Sequence, residues 1–337
     1  MEKSDYLNRK VKSIEVGKKS VSDLLYAMQE TGFQGKKLAQ AAQVWQQMAT
    51  DEETTIFMGY AGSMSTTGMH KIVRWLIENR FIDVLVSTGA NISEDIFEAM
   101  GHAYYQGTHT ADDVDLLKNQ VNRYYDVYAD ELEYRKMEWL IVDFLETLDE
   151  KKNYSSAEFL YEFGKFQSKK KIPSITEAAY RAGVPVFSPA MADSSYGIAA
   201  YLLAKEKNKH IVVDQMKDFV QLGEIGEKSK STSVIYIGGG VPKDTIQLVT
   251  IMKDLGLGGE KIYPHKYAIQ ITADSPQWGG LSGCTFEEAT SWGKIDEKAD
   301  KAVCYCEATI ALPIISHALA ERVKEKRMGP NFSWLLK

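Results

Sequence analysis

The residue best placed for covalent chemistry in this sequence is a lysine in a costly local setting. Near the C-terminus stands Trp278-Gly279-Gly280-Leu281-Ser282-Gly283-Cys284-Thr285-Phe286-Glu287-Glu288-Ala289-Thr290-Ser291-Trp292-Gly293-Lys294-Ile295. Thr285 and Glu288 have capping-box spacing, which predicts a short helix starting there. Gly293 predicts its end, and Lys294 follows beside Trp292. A lysine at a helix end ordinarily sits in water and complements the helix dipole. Two tryptophans, several glycines and the nearby Glu288 set this one apart. An amine partly desolvated against an aromatic wall is suited to act as an imine-forming nucleophile.

Three further segments have the composition of anion-binding turns. They are the stretch from Gly59 to Gly68 (Gly-Tyr-Ala-Gly-Ser-Met-Ser-Thr-Thr-Gly), Ser87-Thr88-Gly89-Ala90-Asn91, and Gly238-Gly239-Gly240-Val241-Pro242. Each follows an apolar run and leads into a helical pattern. Glycine lets a backbone approach a phosphate closely, and a helix N-terminus offers free N–H groups and a positive dipole end. Pro242 suits the first turn of a helix. Glycine-rich turns occur in any α/β protein, and none of these matches G-x-G-x-x-G.

The elements that must hold these segments alternate along the chain. Strands are predicted at Thr55 to Gly59, Ile82 to Ser87, Val184 to Phe187, His210 to Val213, Val234 to Gly238, Tyr267 to Ile271 and Ala302 to Cys306. Most are rich in Val, Ile and Phe with little polar alternation, as expected of strands covered on both faces. Helical patterns lie between them, at Met69 to Asn79, Ile198 to Glu206 and Thr245 to Leu255. This alternation predicts an α/β fold, a doubly wound, mainly parallel, Rossmann-like sheet with its ligand site beyond the strand carboxyl ends. From about Ala111 to Phe166 the chain is rich in Glu, Asp, Tyr and Lys and reads as helical throughout, an inserted helical layer. With no Pro/Gly/Ser-rich linker, and the first of eight prolines at Pro173, a single domain over residues 1–337 is expected.

Bulk properties narrow the function classes. A net charge of −6 argues against nucleic acid, which requires clustered positive charge. Cys284, Cys304 and Cys306 have no disulfide-framework spacing and read as reduced thiols. The Cys304-x-Cys306 pair lies in an apolar strand-like run without a His or further Cys cluster, so no metal site is expected. The N-terminus lacks an apolar signal core, and the run from Ala308 to Ala320 is too short to cross a bilayer. A cytoplasmic location with no membrane partner is expected.

The lysine segment Ser291-Trp292-Gly293-Lys294-Ile295, preceded by Gly283 and Glu288, resembles the catalytic segment of deoxyhypusine synthases. The likeness extends to Gly59-Tyr60, Val84-Leu85-Val86, Glu94-Asp95, Pro185-Val186-Phe187-Ser188-Pro189-Ala190, Asp193, and Gly238-Gly239-Gly240-Val241 with Lys243. It implies an NAD-dependent transferase. In that family NAD takes hydride from the carbon beside the secondary amine of spermidine, and a lysine captures the butylamine portion as an imine while diaminopropane leaves. An acceptor amine then displaces the lysine, and the retained NADH reduces the new imine. The acceptor is a lysine of a translation factor, or putrescine in relatives that make homospermidine. By this resemblance Lys294 is the nucleophile, and Glu94, Asp244, Glu288 and Trp292 contact the amine. Gly62, Ser63, Thr66, Ser87, Thr88, Gly89, Asp193, Gly239, Gly240, Thr272, Ala273, Glu307 and Ala308 surround NAD. A homotetramer with paired sites between subunits is implied as well.

Three departures bear on the substrate. Asp244 stands where the spermidine-using enzymes carry a histidine, and Ile198 and Leu281 stand where they carry carboxylates. A plain NAD-dependent amine dehydrogenase, which would release its imine and its NADH, is the competing class.

Overall fold

The computed structural model describes residues 2–325 and 327–336. The strands are β1 (Thr54–Tyr60), β2 (Val84–Ser87), β3 (Tyr105–Gln106), β4 (Val121–Tyr124), β5 (Val127–Asp130), β6 (Asn153–Tyr154), β7 (Val186–Phe187), β8 (Val212–Val213), β9 (Ser231–Ile237), β10 (His265–Thr272) and β11 (Ile295–Tyr305). Six of them make a parallel sheet in the order β11-β10-β9-β1-β2-β7. The chain steps outward from β1 to β2 and β7, then returns to the other side of β1 with β9. The order reverses between β1 and β9, and a ligand crevice is expected at their carboxyl ends.

The strands are apolar on both faces because both faces are covered. Ile56, Met58 and Tyr60 of β1 enter one core, with Leu85, Ile235, Ile237, Ile269, Ile271, Ala302 and Cys304. Phe57 of β1 points into the other, with Val84, Val86, Val234, Tyr236 and Ala268. This period of two on each strand is what a pleated sheet buried between two layers produces. The first layer is built from helices that include Phe33–Thr50, His70–Glu78, Gly89–Ala99 and Ala308–Arg322. The second includes Gln215–Lys228 and Gly240–Gly256, together with Phe332, Leu335 and Leu336 of the C-terminal tail. Arg327 fastens that tail by ion-pairing with the buried Asp83 at the start of β2. None of the described helices is long and apolar enough to cross a membrane.

Two expectations need correction. The segment from 111 to 166 is not helical throughout: β3, β5 and β4 form an antiparallel sheet, followed by helices Glu131–Glu146 and Ser156–Lys170. Val121, Tyr124, Val127 and Tyr128 have the β-branched and aromatic character of strands, and Tyr125 turns the hairpin at a φ of 56°. The charged residues between them obscured that pattern. The strand near His210 also exists, as β8, but it pairs with β6 in a separate two-stranded sheet and not with the central one.

Candidate functional site

The site is assembled from loops at the carboxyl edge of the parallel sheet, in two groups. The first lies where β1 and β2 end. Asn91, in the first turn of the helix Gly89–Ala99, organises it. The Asn91 amide donates to the carbonyls of Tyr60 and Ala61, each at 3.1 Å. Its Oδ1 accepts from the Met64 N–H at 2.6 Å, and Ser65 Oγ donates to the Asn91 carbonyl at 2.6 Å. Thr88 caps the same helix and donates its hydroxyl to the Gly62 carbonyl at 2.8 Å. Ser87 donates to the Tyr60 carbonyl at 3.2 Å, and Thr66 to that of Ser63 at 2.9 Å. The loop from 61 to 67 is thereby held in one shape by hydroxyl and amide side chains. At Gly62 φ is +78°, and nothing lies within 4 Å of where a Cβ would stand, so backbone conformation is what requires glycine there.

Glu94 sits on this helix, buried, and accepts a hydrogen bond from Ser63 Oγ at 2.7 Å. Burial pushes its carboxyl up to about 7, and only the Ser63 hydroxyl opposes the shift. No cation among the described residues pairs with it. Tyr104 donates its hydroxyl to the Glu94 carbonyl at 2.9 Å and lies 2.9 Å from the Tyr134 hydroxyl, closing the rear of the group. Gly89 is cramped: a Cβ there would stand 2.6 Å from Ser194 Oγ and 2.9 Å from the Met191 carbonyl. That contact seats the turn bearing Asp193, itself exposed, beside Gly89. Thr66, Thr67, Gly68, Glu98, Tyr104 and Thr309 line a cleft of about 530 Å³, so the first turn of the helix Ala308–Arg322 comes, through Thr309, to the same opening as the β1 loop. Glu307 caps the helix Ala308–Arg322 by accepting from the Thr309 N–H at 2.9 Å.

The second group lies where β9 and β10 end. The helix Gly240–Gly256 follows β9 directly, with no side chain capping its N-terminus; Pro242 is its third residue. Asp244 in its first turns is half-buried, and burial raises its carboxyl above the usual range, against the pull of Lys243 and Lys294. Thr272 is buried at the end of β10 and accepts from the Asp274 N–H at 3.1 Å; Ala273 lies between. Thr285 caps the short helix Phe286–Ser291, accepting the Glu288 N–H at 3.1 Å, and Gly293 ends it at a φ of 70°. Backbone bonds then fix Lys294 from both sides, its N–H to the Ala289 carbonyl at 3.0 Å and its carbonyl to the His265 N–H at 2.9 Å. Its ammonium lies 5.1 Å from the Trp292 ring centroid, within cation–π range. Trp292 is 64% exposed and Trp278 78% exposed.

The structure thus brings Lys294, Trp292, Glu288 and Asp244 together, and separately Ser63, Thr66, Ser87, Thr88, Gly89 and Glu94. The strand ends that carry the two groups are joined, the Ala61 N–H donating to the Ile237 carbonyl at 3.1 Å. These two sets of side chains nevertheless share no hydrogen bond or ion pair among the described residues of one chain, and Lys294 is not among the groups that act on Glu94. Gly239 has a purpose that its composition did not reveal. A Cβ there would fall 2.3 Å from Ser282 Cα, so the loop of the lysine segment, and not open space, occupies the position beside it. Gly240, at a φ of +56°, faces nothing within 4 Å. Asn91 is legible in the sequence only as part of a glycine turn and Lys243 only through the family resemblance, while Gln270 carries no motif. Gln270, a polar residue inside the apolar run Tyr267 to Ile271, was the available signal.

The family model for deoxyhypusine synthase matches residues 23–319. The chain belongs to the deoxyhypusine synthase family. It is 46% identical to "Probable deoxyhypusine synthase 2" of Methanosarcina mazei over 95% of this chain and 93% of that one. It is 47% identical to the protein of the same name from Archaeoglobus fulgidus, over 87% and 95%. The "Deoxyhypusine synthase-like protein" of Chlorobaculum tepidum is 36% identical over 100% and 97%. A crystal structure of an Entamoeba histolytica protein assigned as a deoxyhypusine synthase shares the fold, with a TM-score of 0.64 at 17% identity over 90% of this chain and 94% of that one. This is a family of transferases, and the Rossmann-like sheet of this member carries glycine-containing turns at the carboxyl ends of β1, β2 and β9.

Proposed function

We propose that this chain is an NAD-dependent transferase that moves an aminobutyl or related alkylamine group from a polyamine to an acceptor amine through an imine on Lys294. The observation that carries the reading is the setting of Lys294. Its amine stands just past the end of a short capped helix, against an indole face, with Asp244 as an acidic neighbour and Glu288 in the first turn of that helix. Carboxylates hold ammonium groups and an indole packs on methylenes, which together suit a polyamine. The β1 and β2 loops suit a dinucleotide: Gly62 is open, Ser63 and Thr66 offer hydroxyls, and Glu94 is a buried carboxylate without a cation, ready for a ribose hydroxyl or an amine. Bound there with Ser87, Thr88, Gly89, Asp193, Gly239, Gly240, Thr272, Ala273, Glu307 and Ala308 around it, NAD would accept hydride from the carbon beside the substrate nitrogen.

The protein's own work is then positional. Lys294 adds to the oxidised carbon, and the departing amine takes the proton that Lys294 releases. The acceptor amine then displaces Lys294, and return of the hydride from the retained cofactor to the new imine would leave the transfer redox-neutral. Trp292 shields the imine from water, while Asp244 and Glu288 hold the distal ammonium. Because no hydrogen bond or ion pair joins Lys294 to Glu94 among the described residues of one chain, and Trp278, Trp292, Leu281 and Ile262 leave apolar surface exposed, the complete site is built between subunits of a homotetramer. The acceptor is a small amine or a protein lysine. Ile198 and Leu281 are apolar and half exposed where spermidine-using relatives carry carboxylates, and Asp244 supplies negative charge from another wall. This favours an amine such as agmatine or putrescine, because an ammonium buried without its partner is disfavoured by several kcal/mol.

Mass spectrometry of products from a panel of polyamines with NAD tests the reading, with borohydride added during turnover. An alkylamine adduct on Lys294 is expected. An unmodified Lys294 in an active protein, with stoichiometric NADH released, would establish the dehydrogenase instead.

A further inference from the structure

Lys243 is a lysine with no exposed surface, among the largest fully buried side chains of the chain. Its ammonium donates to Gln270 Oε1 at 3.0 Å, to the Ser282 carbonyl at 3.1 Å and to the Cys284 carbonyl. Three acceptors use all three donors of an ammonium. Gln270, also buried, turns its amide to the carbonyls of Gly238 and Ser282, both at 2.9 Å. Two side chains therefore tie the loop 281–284 to the last turn of β9, where Gly239 leaves room for Ser282. The loop so tied runs straight into the Thr285 cap and on to Trp292 and Lys294. The Lys243 ammonium makes no hydrogen bond to a side chain of the proposed reaction, yet Lys294, Glu288, Asp244 and Cys284 all lie within its electrostatic reach.

We propose that Lys243 is a positioning residue that, with Gln270, clamps the 281–284 loop and so holds the Lys294 segment in register with the glycine turn of β9. This rests on the reading of Lys294 as nucleophile. A buried ammonium is a costly device for joining three carbonyls unless their geometry matters, since apolar packing of similar volume would stabilise as well or better. Once an imine has formed by hydride loss, it has two fates. The Lys294 amine adds and expels the diamine, or water adds and yields an aldehyde and an amine. A lysine segment out of register shifts the balance toward water without preventing hydride loss.

The test uses the full-length protein with Lys243→Gln, which keeps two donors, and Lys243→Met, which keeps none. Hydrogen exchange without ligands should speed up in residues 280–285, where the Gly283 N–H bonds the Gly280 carbonyl, in the order wild type, Gln, Met. With the best amine from the panel and NAD, the ratio of Lys294 adduct to free aldehyde should fall in the same order, by about 100-fold for Met, as a displacement of about an ångström in the attacking group would produce. Unchanged exchange in that loop overturns the clamp. Faster exchange with an unchanged ratio overturns the positioning role and leaves Lys243 as a stabilising residue alone. Should Lys243→Met not fold, Lys243→Gln decides both points. A wild-type protein that forms no adduct with any amine defeats the reading of Lys294 and the positioning role with it, while the exchange result still decides the clamp by itself.

Discussion

Lys243 and Glu94 are both charged side chains buried at the carboxyl edge of one sheet, and the fold treats them in opposite ways. Lys243 finds three carbonyl-type acceptors, and its charge is fully engaged within the protein. Glu94 has one hydroxyl donor and no cation, and burial lifts its carboxyl to about 7. A buried charge with every bond satisfied organises backbone; one left short of partners is a destabilising feature that a ligand can relieve. Around Lys243 the chain has built a support, and around Glu94 a receptor. Lys294 stands apart from both, partly exposed, with an exposed indole as its nearest wall.

The strongest way to break this comparison is at the supported end. Lys294→Ala should reduce group transfer at least ~1000-fold, equivalent to about 4 kcal/mol of transition-state stabilisation, while leaving the circular dichroism spectrum and melting temperature near wild type. Transfer within tenfold of wild type would remove Lys294 from the chemistry.

At the receptor end the next largest effect is on stability. The carboxyl of Glu94 moves from 4.5 to about 7 on folding. Between those values the folded chain keeps a proton that the unfolded chain has released, so stability falls as pH rises through the window. Glu94→Gln removes that dependence. In the ligand-free protein at about pH 8 the variant should be more stable by about 3 kcal/mol, with the difference closing toward pH 4.5. Melting curves of the two proteins that run parallel across the window would show that Glu94 already has a partner.

Smaller effects sharpen the substrate half. Asp244→Asn should raise KM for the amine by about 30-fold, near 2 kcal/mol, with kcat changed less, as expected of a group that binds the distal ammonium in ground and transition states alike. An unchanged KM would assign the ammonium to Glu288 or another carboxylate. Smallest is Leu281→Asp, which restores a carboxylate at a half-exposed position and should increase kcat/KM for spermidine about tenfold relative to shorter amines, close to 1.4 kcal/mol. A uniform change across all amines would place Leu281 outside the substrate's path.

Much of this was legible in the residues. Runs such as Thr55 to Gly59 and Val234 to Gly238 announced strands buried on both faces, because side chains alternate and both directions were apolar. The glycine turns after them followed from parallel topology, and Thr285 and Gly293 marked the two ends of the short helix before Lys294. The antiparallel sheet of β3, β4 and β5 was hidden, since Asn122, Arg123 and Asp130 fall on both of its faces in a stretch whose overall charge imitates a solvated helix. The departure of β8 from the central sheet was equally unreadable: a Val-Val pair does not reveal which neighbour will supply its hydrogen bonds.

What the sequence by itself determined was local. Periodicity, caps, turns and the chemistry available at Lys294 all depend on residues within a few positions of one another. The tertiary structure decided everything set by partners distant along the chain. Gln270 meets Lys243 only because β10 lies beside β9, and Ser282 lies against Gly239 only because the lysine loop folds back over that strand end. Whether a buried charge is satisfied or left waiting depends on such meetings, so Lys243 and Glu94, both merely charged residues near glycine turns in the sequence, acquire opposite roles on folding.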